Sequence, residues 1–236
     1  MRDLHPLQHL DGEPKQASRN WMVNICRSLG IEKLPEGLQY WSLAGDLTRA
    51  GVLMEGSEPH QMTKSGLIAP SQYVGVERDP EVHSRNLAQK AYMVEEGEIE
   101  HVMERYHTRG VFNPGIINLD TIHEPRRAVS LLSRVAKVVR KVPPSPMVIF
   151  LNVVMHRYRT YEDDQVTHWI SRTHELVGNV FRAGMLTSGW ALLAPTYEYN
   201  GANENSRSMM KVYCLSRGYP SSLETRIIRL HAEKVH

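Results

Sequence analysis

Short apolar runs that end in an acidic residue recur along the chain and mark its predicted strands. The clearest run is Tyr73-Val74-Gly75-Val76, which is followed by Glu77 and then by Asp79-Pro80. A run of this length and composition is typical of a strand buried on both faces of a parallel sheet. Asp followed by Pro indicates a helix start, because Asp caps the helix and Pro suits its first turn. This order of strand, acid and helix predicts one unit of an open α/β sheet.

Further runs continue this pattern and predict a doubly wound, Rossmann-like sheet. Five predicted strands alternate with helices, and such βα units give a parallel sheet with right-handed crossovers. Two final strands follow each other across the polar segment 200–205, which predicts an antiparallel hairpin. The predicted strands cover residues 38–44, 73–76, 92–94, 115–120, 147–154, 189–194 and 209–215. The predicted helices cover residues 19–29, 58–65, 81–91, 99–106, 125–141 and 163–183.

The predicted elements fall into two parts of unequal size. Residues 1–37 are predicted to form an N-terminal arm and one helix, for which Ser18 is the expected cap. Residues 38–236 are predicted to form a single domain. A chain of 236 residues is long enough for one α/β domain with a substantial core.

Composition narrows the class of protein. Lys and Arg number 28 against 26 Asp and Glu, and the net charge of +2 gives no argument for nucleic-acid binding. Cys26 and Cys214 lie far apart, without the spacing of a disulfide framework or a thiolate zinc site. No apolar stretch approaches about 18 residues, so we expect no membrane span. The N-terminus lacks the apolar core of a signal peptide, and we expect a cytoplasmic protein.

The histidines are numerous enough to raise the question of a metal site. Asp164 and His168 share a face of the predicted helix 163–183, whereas His174 lies six residues beyond His168 and does not. A single Asp–His pair is a weak signal, and we therefore expect no metal.

Polar residues at three strand ends are the candidate functional residues. Gly45, Glu77 and Asp120 each follow or end a predicted strand. Carboxyl ends of parallel strands meet at one edge of a sheet, so we expect the three residues to converge along a rim where a nucleoside can lie. Glu77 can accept two hydrogen bonds from a ribose diol, or it can be a surface acid on a loop. Asn118 is expected to be a buried hydrogen-bonding residue on the face opposite Asp120.

This layout resembles the class I S-adenosylmethionine-dependent methyltransferases, which have a seven-stranded sheet whose last strand is antiparallel. The resemblance covers roughly residues 38–217 and depends on the order of elements and on three strand-end segments, Leu43-Ala44-Gly45-Asp46, Val74-Gly75-Val76-Glu77 and Ile117-Asn118-Leu119-Asp120. It implies S-adenosyl-L-methionine as the cofactor and Asp120 as the residue that faces the substrate. The cofactor-binding residues that it implies are Ala44, Gly45, Asp46, Glu77, Arg78, Glu96 and Gly97.

Two of the implied residues have alternative roles. Asp46 can hold the amino group of the cofactor's methionine part through a charge-assisted hydrogen bond, or it can cap the next helix. Asp120 can orient the methyl acceptor or act as a base, or it can be a helix cap.

The chain departs from the family at the positions that identify an acceptor. Gly45-Asp46-Leu47-Thr48-Arg49-Ala50-Gly51 replaces the usual GxGxG-like run. Asp120-Thr121-Ile122-His123 replaces the Asp/Asn-Pro-Pro-Tyr/Phe signature of amino-directed DNA methyltransferases, and no Pro-Cys nucleophile is present. The acceptor stays open, with nucleic acid slightly favoured over a small molecule or a protein, and no oligomeric state is indicated.

Two other functions remain as alternatives. One is a catalytically inactive binding or assembly protein of the same fold. The other is a nicotinamide-dependent oxidoreductase, which is disfavoured because no G-x-G-x-x-G follows the first strand.

Overall fold

The computed structural model describes residues 13–49, 51–121, 125–143, 145–156, 175, 190–201 and 208–219. The helices are α1 (Glu13–Ser28), α2 (Glu58–Lys64), α3 (Pro80–Ala88), α4 (Ile99–Thr108) and α5 (Pro125–Val139). The strands are β1 (Gln39–Leu43), β2 (Thr48–Arg49), β3 (Val52–Leu53), β4 (Tyr73–Glu77), β5 (Met93–Glu96), β6 (Pro114–Asp120), β7 (Met147–His156), β8 (Trp190–Gly201) and β9 (Ser208–Arg217). Apart from Glu175, the predicted helix 163–183, which carries Asp164, His168 and His174, lies outside the described residues.

Seven of the strands form one sheet, in the order β5-β4-β1-β6-β7-β9-β8. The first five strands of this order pair in parallel, and β9 lies antiparallel between β7 and β8. Strand β8 therefore runs in the same direction as the parallel strands, and β9 runs against them. The predicted Rossmann-like sheet, mostly parallel with an antiparallel C-terminal strand, is confirmed.

Helices cover both faces of the sheet, and each face has its own apolar core. Side chains of α4 and α5 pack on one face against Trp41, Val76 and Ile117. Side chains of α1 and α2 pack on the other face against Tyr40 and Tyr73. Tyr40 and Trp41 are consecutive residues of β1, and both are fully buried. Because successive side chains of a strand point to opposite faces, this burial indicates a strand covered on both sides.

The first helix begins earlier than the sequence predicts. It starts at Glu13 instead of Arg19, so Ser18 is buried within the helix and is not its cap. Pro14 does not prevent this start, because the first N–H groups of a helix have no intrahelical partner to lose. The early start brings Lys15 into the helix, one turn before Arg19.

A small antiparallel ribbon, which the sequence does not predict, follows the turn at Gly45. It consists of β2 and β3, in which Thr48 pairs with Leu53 and Arg49 with Val52. The short helix predicted at 58–65 is confirmed as α2. Since the turn leads into a ribbon, Asp46 does not cap a helix, and that alternative is wrong.

Trp21 fixes α1 to the sheet. The centroid of its ring lies 6.1 Å from the ring centroid of Phe150 in β7 and 5.7 Å from that of Tyr197 in β8. Trp21 is 7% exposed, and Cys26, which follows on the same helix, is fully buried. Burial raises the pKa of the Cys26 thiol to about 12, so the thiol stays protonated at neutral pH. Helix α1 is therefore packed as part of the core.

Removing the Trp21 side chain is expected to destabilise the fold. Trp21→Ala should lower the free energy of unfolding by about 3 kcal/mol, because a large buried side chain is replaced by a cavity. Val111→Ala is the control, since Val111 is 51% exposed and should change the value by less than about 0.5 kcal/mol. Urea denaturation measures both, and equal effects would contradict the docking of α1.

Candidate functional site

The carboxyl ends of β1, β4 and β6 border a cavity of about 490 Å³. Gly45 follows β1, Glu77 ends β4 and Asp120 ends β6, and all three line this cavity. Small-molecule sites typically have volumes of about 300–1,000 Å³. The structure therefore brings together the three strand-end residues that the sequence predicts to converge.

The turn after β1 leaves its backbone open to the cavity. Ala44, Gly45 and Asp46 all line the wall. Gly45 has φ of +58°, a left-handed conformation that favours glycine. Beyond its chain neighbours, no atom of the described residues lies within 4 Å of where a Cβ would stand on Gly45. A ligand can therefore approach the main chain closely at this point.

The Asp46 side chain is occupied by contacts within the protein. Its Oδ1 accepts hydrogen bonds from the backbone N and Oγ1 of Thr48, at 2.9 and 2.8 Å. Its Oδ2 accepts two from Arg85, from Nε at 3.1 Å and Nη2 at 2.8 Å. Burial opposes ionisation, but these hydrogen bonds outweigh it and hold the pKa of Asp46 below its usual value. The carboxylate of Asp46 is therefore already committed to contacts within the protein.

Glu77 lies at the second strand end, and its carboxylate has one hydrogen bond among the described residues. Oε1 accepts from the backbone N of Asp79 at 2.8 Å. Asp79 in turn accepts from the backbone N of Glu81 and of Val82, which makes it the cap of α3 as predicted. Arg78 lines the cavity and lies 3.6 Å from the carboxylate of Glu98.

Glu96 does not line the cavity, unlike the other residues predicted for the cofactor site. Strand β5 extends through Glu96, so this residue is still part of the edge strand and its side chain is 57% exposed. Its carboxylate lies 3.8 Å from Nδ1 of His83. The chain turns at Gly97, whose N donates to the Glu77 carbonyl at 2.9 Å. Gly97 and Glu98 line the cavity instead.

Asp120 forms an ion pair with Lys15 from the first turn of α1. Lys15 Nζ donates to Asp120 Oδ2 at 2.8 Å, and the two side chains are 18% and 14% exposed. Asp120 Oδ1 is buried and has no hydrogen-bond partner among the described residues. A group that enters this end of the cavity therefore meets a carboxylate whose charge is already balanced.

Glu58 is a buried carboxylate that the sequence does not single out. It is 5% exposed, and its Oε1 and Oε2 accept hydrogen bonds at 2.8 Å from Tyr40 Oη and Asn118 Nδ2. Burial raises the pKa of Glu58; the nearby charge of Arg19 opposes this and that of Asp120 adds to it. In sequence, an acid in the first turn of a short helix is an ordinary helix-start residue, so nothing marks it as buried.

Asn118 lies on the same face of β6 as Asp120, and the expected opposite orientation is wrong. The two residues lie two positions apart, with Leu119 between them, and alternate residues of a strand share a face. Both lie near Glu58, Asn118 through its hydrogen bond and Asp120 through its charge. The expectation that Asn118 is buried and hydrogen-bonded is confirmed.

Helices supply cavity-lining residues that the strand pattern does not reveal. Lys15 and Arg19 come from α1, and Arg19 donates to the Gly56 carbonyl and to Gln61 Oε1, the latter at 3.3 Å. Helix α5 adds further side chains, and α4 adds its first residue. These lining residues are Arg127, Ser130, Leu131, Arg134 and Ile99.

The strand order and the position of the cavity decide the fold family. Six strands run one way, β9 runs against them, and the cavity lies beyond the carboxyl ends of the central strands. The chain has the class I methyltransferase fold. Neither a family model nor a curated protein matches the sequence.

Solved structures with a similar fold have little sequence identity with this chain. A protein from Legionella pneumophila str. Philadelphia 1 has 12% identity and a TM-score of 0.49, with 94% of this chain and 92% of that chain covered. TYW2 from M. jannaschii, in complex with AdoMet, has 9% identity and a TM-score of 0.44, with coverage of 83% and 75%. An O-methyltransferase from Bacillus cereus, in complex with SAH, has 13% identity and a TM-score of 0.38, with coverage of 86% and 92%.

Neither a group of metal ligands nor a membrane-spanning helix is found among the described residues. Within the described ranges, no three His, Cys, Asp or Glu residues are grouped as a metal site would require. In the same ranges, no helix has the length and apolar character to span a membrane.

The hydrogen bonds of Asp46 predict a pH-dependent contribution to stability. Asp46→Asn should lower the free energy of unfolding by about 1–3 kcal/mol at pH 7, because bonds to a charged group are lost. The folded-state pKa of Asp46 is lowered, so this contribution is fully present above the unfolded-state pKa of about 3.9 and is lost as the pH falls through the folded-state value.

Denaturation at several pH values measures this effect, with Glu81→Gln as the control. Glu81 is an exposed acid on α3, so its substitution should have a small effect throughout. A difference between wild type and Asp46→Asn that stays constant from neutral pH down to about pH 2, well below the usual Asp pKa, would contradict the ionic role of Asp46.

Proposed function

We propose that this protein is an S-adenosylmethionine-dependent methyltransferase. The observation that carries the proposal is that the glycine turn after β1, the acid that ends β4 and the acid that ends β6 line one cavity of about 490 Å³. The resemblance to class I methyltransferases assigns these three positions to the cofactor turn, the cofactor ribose and the substrate. The contacts and the exposure of the residues around the cavity support the same assignment.

The residues around Gly45 and Glu77 fit the two polar ends of the cofactor. Gly45 has space beside its backbone, and Asp46 has a backbone N–H that faces no acceptor within the described residues. Glu77 has an available oxygen for a ribose hydroxyl. Ile99 and Leu131 add apolar wall, which suits a ring system. The cofactor residues that we propose are Ala44, Gly45, Asp46, Glu77, Arg78 and Gly97, together with Glu98.

Asp120 is the residue that we propose for the acceptor. When bound, S-adenosylmethionine supplies a methyl group already activated on a sulfonium, so the protein mainly has to align donor and acceptor. Asp120 Oδ1 is buried at the end of the cavity and has no hydrogen-bond partner among the described residues, whereas Oδ2 holds Lys15. Lys15 Nζ holds Oδ2 at 2.8 Å, which fixes the orientation of the carboxylate toward an acceptor.

Nucleic acid is the acceptor class that we propose to test first. Arg126 and Arg127 are exposed at the start of α5, and Arg127 also lines the cavity. Exposed arginines beside a cavity suit phosphate contacts outside the reacting centre.

The Lys15–Asp120 ion pair favours a second candidate, a cofactor-binding protein without catalytic activity. One carboxylate oxygen of Asp120 accepts from Lys15 Nζ at 2.8 Å and the other is buried, so little of the carboxylate is left for a methyl acceptor. Incubation with radiolabelled S-adenosylmethionine and separate RNA, DNA and metabolite fractions distinguishes the two functions. Label transfer to one fraction supports the methyltransferase, and binding without transfer supports the second candidate.

Substitution of Glu77 tests the proposed cofactor site. Glu77→Ala should weaken binding of S-adenosylhomocysteine by at least about tenfold, because hydrogen bonds to a charged carboxylate are lost. The melting temperature should change by less than about 3 °C, since the side chain makes a single hydrogen bond within the described part of the chain.

Titration calorimetry measures the affinity, and Glu81→Ala is the charge-matched control. Glu81 is exposed and lies outside the cavity wall. If the wild type binds no S-adenosylhomocysteine, the methyltransferase proposal fails. If Glu77→Ala and Glu81→Ala both bind S-adenosylhomocysteine as tightly as the wild type, Glu77 does not contact the cofactor, and its assignment to the cofactor site is wrong.

A further inference from the structure

The glycine turn after β1 lacks the local support of a following helix. The chain passes from Gly45 and Asp46 into the ribbon β2–β3, whose strands have two residues each. A helix start would order such a turn through its first N–H groups, but none follows here. The support has to come from elsewhere in the molecule.

Asn86 of α3 holds both sides of this turn. Its Nδ2 donates to the Gly45 carbonyl at 2.7 Å, and its Oδ1 accepts from the backbone N of Leu47 at 2.9 Å. Asn86 is 2% exposed. Both functional atoms of the amide are therefore used on backbone groups that lie about forty residues earlier in the chain.

Arg85 holds the residue between these two contacts. Its Nε and Nη2 donate to Asp46 Oδ2, and Asp46 Oδ1 accepts from Thr48. Asn86 and Arg85 are consecutive on α3 and bind consecutive parts of the turn. We call this arrangement, residues 85–86 on residues 45–47, the α3 clamp.

The α3 clamp leaves two adjacent backbone donors without a partner in the described part of the chain. Ala44 N donates to the Val76 carbonyl, and the N–H groups of Leu47 and Thr48 donate to Asn86 and Asp46. Among the described residues, the N–H groups of Gly45 and Asp46 donate to nothing. Both residues line the cavity. Successive unpaired N–H groups at a turn are suited to an anionic oxygen.

We propose that Asn86 and Arg85 are positioning residues that keep the Gly45 and Asp46 N–H groups directed at a ligand carboxylate. This inference rests on the proposed function, in which the ligand carries an α-amino-carboxylate at one end and a nucleoside at the other. Neither residue lines the cavity, so each acts through the turn. The carboxylate end of the ligand depends on the α3 clamp, whereas its nucleoside end depends on Glu77.

The test compares two probes that differ at one end. S-adenosylhomocysteine carries the α-amino-carboxylate, and adenosine lacks it. Asn86→Ala should weaken binding of S-adenosylhomocysteine by about tenfold or more and leave the affinity for adenosine within about twofold, which titration calorimetry measures. Arg85→Ala should have an effect in the same direction, and Arg85→Lys should restore part of it, because lysine keeps the charge but not the two-bond geometry.

The controls separate loss of positioning from loss of folding. Arg140→Ala removes a charge from an exposed residue outside the cavity wall and should change neither affinity. Asn86 is buried, so Asn86→Ala can also disturb the fold. Amide hydrogen exchange separates the two effects: exchange should become faster at Leu47, whose N–H loses its acceptor, and stay unchanged in β6 and β7 if the sheet is intact. The exposed Arg85 side chain, 45% accessible, provides the variant that is expected to fold normally.

Each outcome supports or overturns a stated claim. Selective loss of S-adenosylhomocysteine affinity supports the α3 clamp. Unchanged affinity in both Asn86→Ala and Arg85→Ala, or an equal loss for both probes, overturns the α3 clamp and leaves the proposed function in place. If the wild type binds neither probe, the proposed function fails, and the positioning role fails with it.

Discussion

The parallel pairing of β1 with β4 and β6 is the constraint on which the candidate site depends. Leu43 is in register with Val76, and Ser42 with Asn118, so the three strands end at nearly the same level. Parallel strands share one direction, and the chain must leave all three at the same edge of the sheet. Gly45, Glu77 and Asp120, which lie far apart in the sequence, therefore become neighbours around one cavity.

Beneath this edge, a polar cluster replaces apolar packing on the face covered by α1 and α2. Glu58 is held by donors from two strands, Tyr40 of β1 and Asn118 of β6. A buried carboxylate is costly unless its oxygens are satisfied, and a hydrogen bond from each strand meets that requirement. The cluster fixes α2 relative to the strand ends. The Lys15–Asp120 ion pair does the same for the start of α1.

The sequence allowed the sheet and the convergence of its strand ends to be predicted, because both follow from local patterns. An apolar run that ends in Glu77 or Asp120 is visible in the sequence, and parallel pairing then fixes where the ends meet. The polar contacts could not be predicted, because Lys15 and Asp120 are 105 residues apart and Glu58 and Asn118 are 60 apart. Such pairs depend on how helices pack, which no short pattern records.

Errors of one or two residues account for two further differences from prediction. Strand β5 extends to Glu96, and that shift moves the cavity-lining role to Glu98 beyond the turn at Gly97. Asn118 lies two positions before Asp120 and not one, so it shares the face of Asp120. A strand alternates with a period of two, so a one-residue error reverses the face.

The acids that follow or end the central strands, Asp46, Asp120 and Glu77, differ in how many of their carboxylate contacts are made within the protein. This difference indicates which of them is suited to bind a ligand. Asp46 is bonded to Arg85 and Thr48, so its carboxylate serves the turn. Asp120 is balanced by Lys15. Glu77 accepts one backbone hydrogen bond and has no cationic partner among the described residues. A diol needs a carboxylate with free acceptor capacity, and of the roughly four lone-pair sites of a carboxylate Glu77 uses one within the described residues. Glu77 meets that condition better than Asp46 or Asp120, and this supports placing the nucleoside end of the ligand beside it.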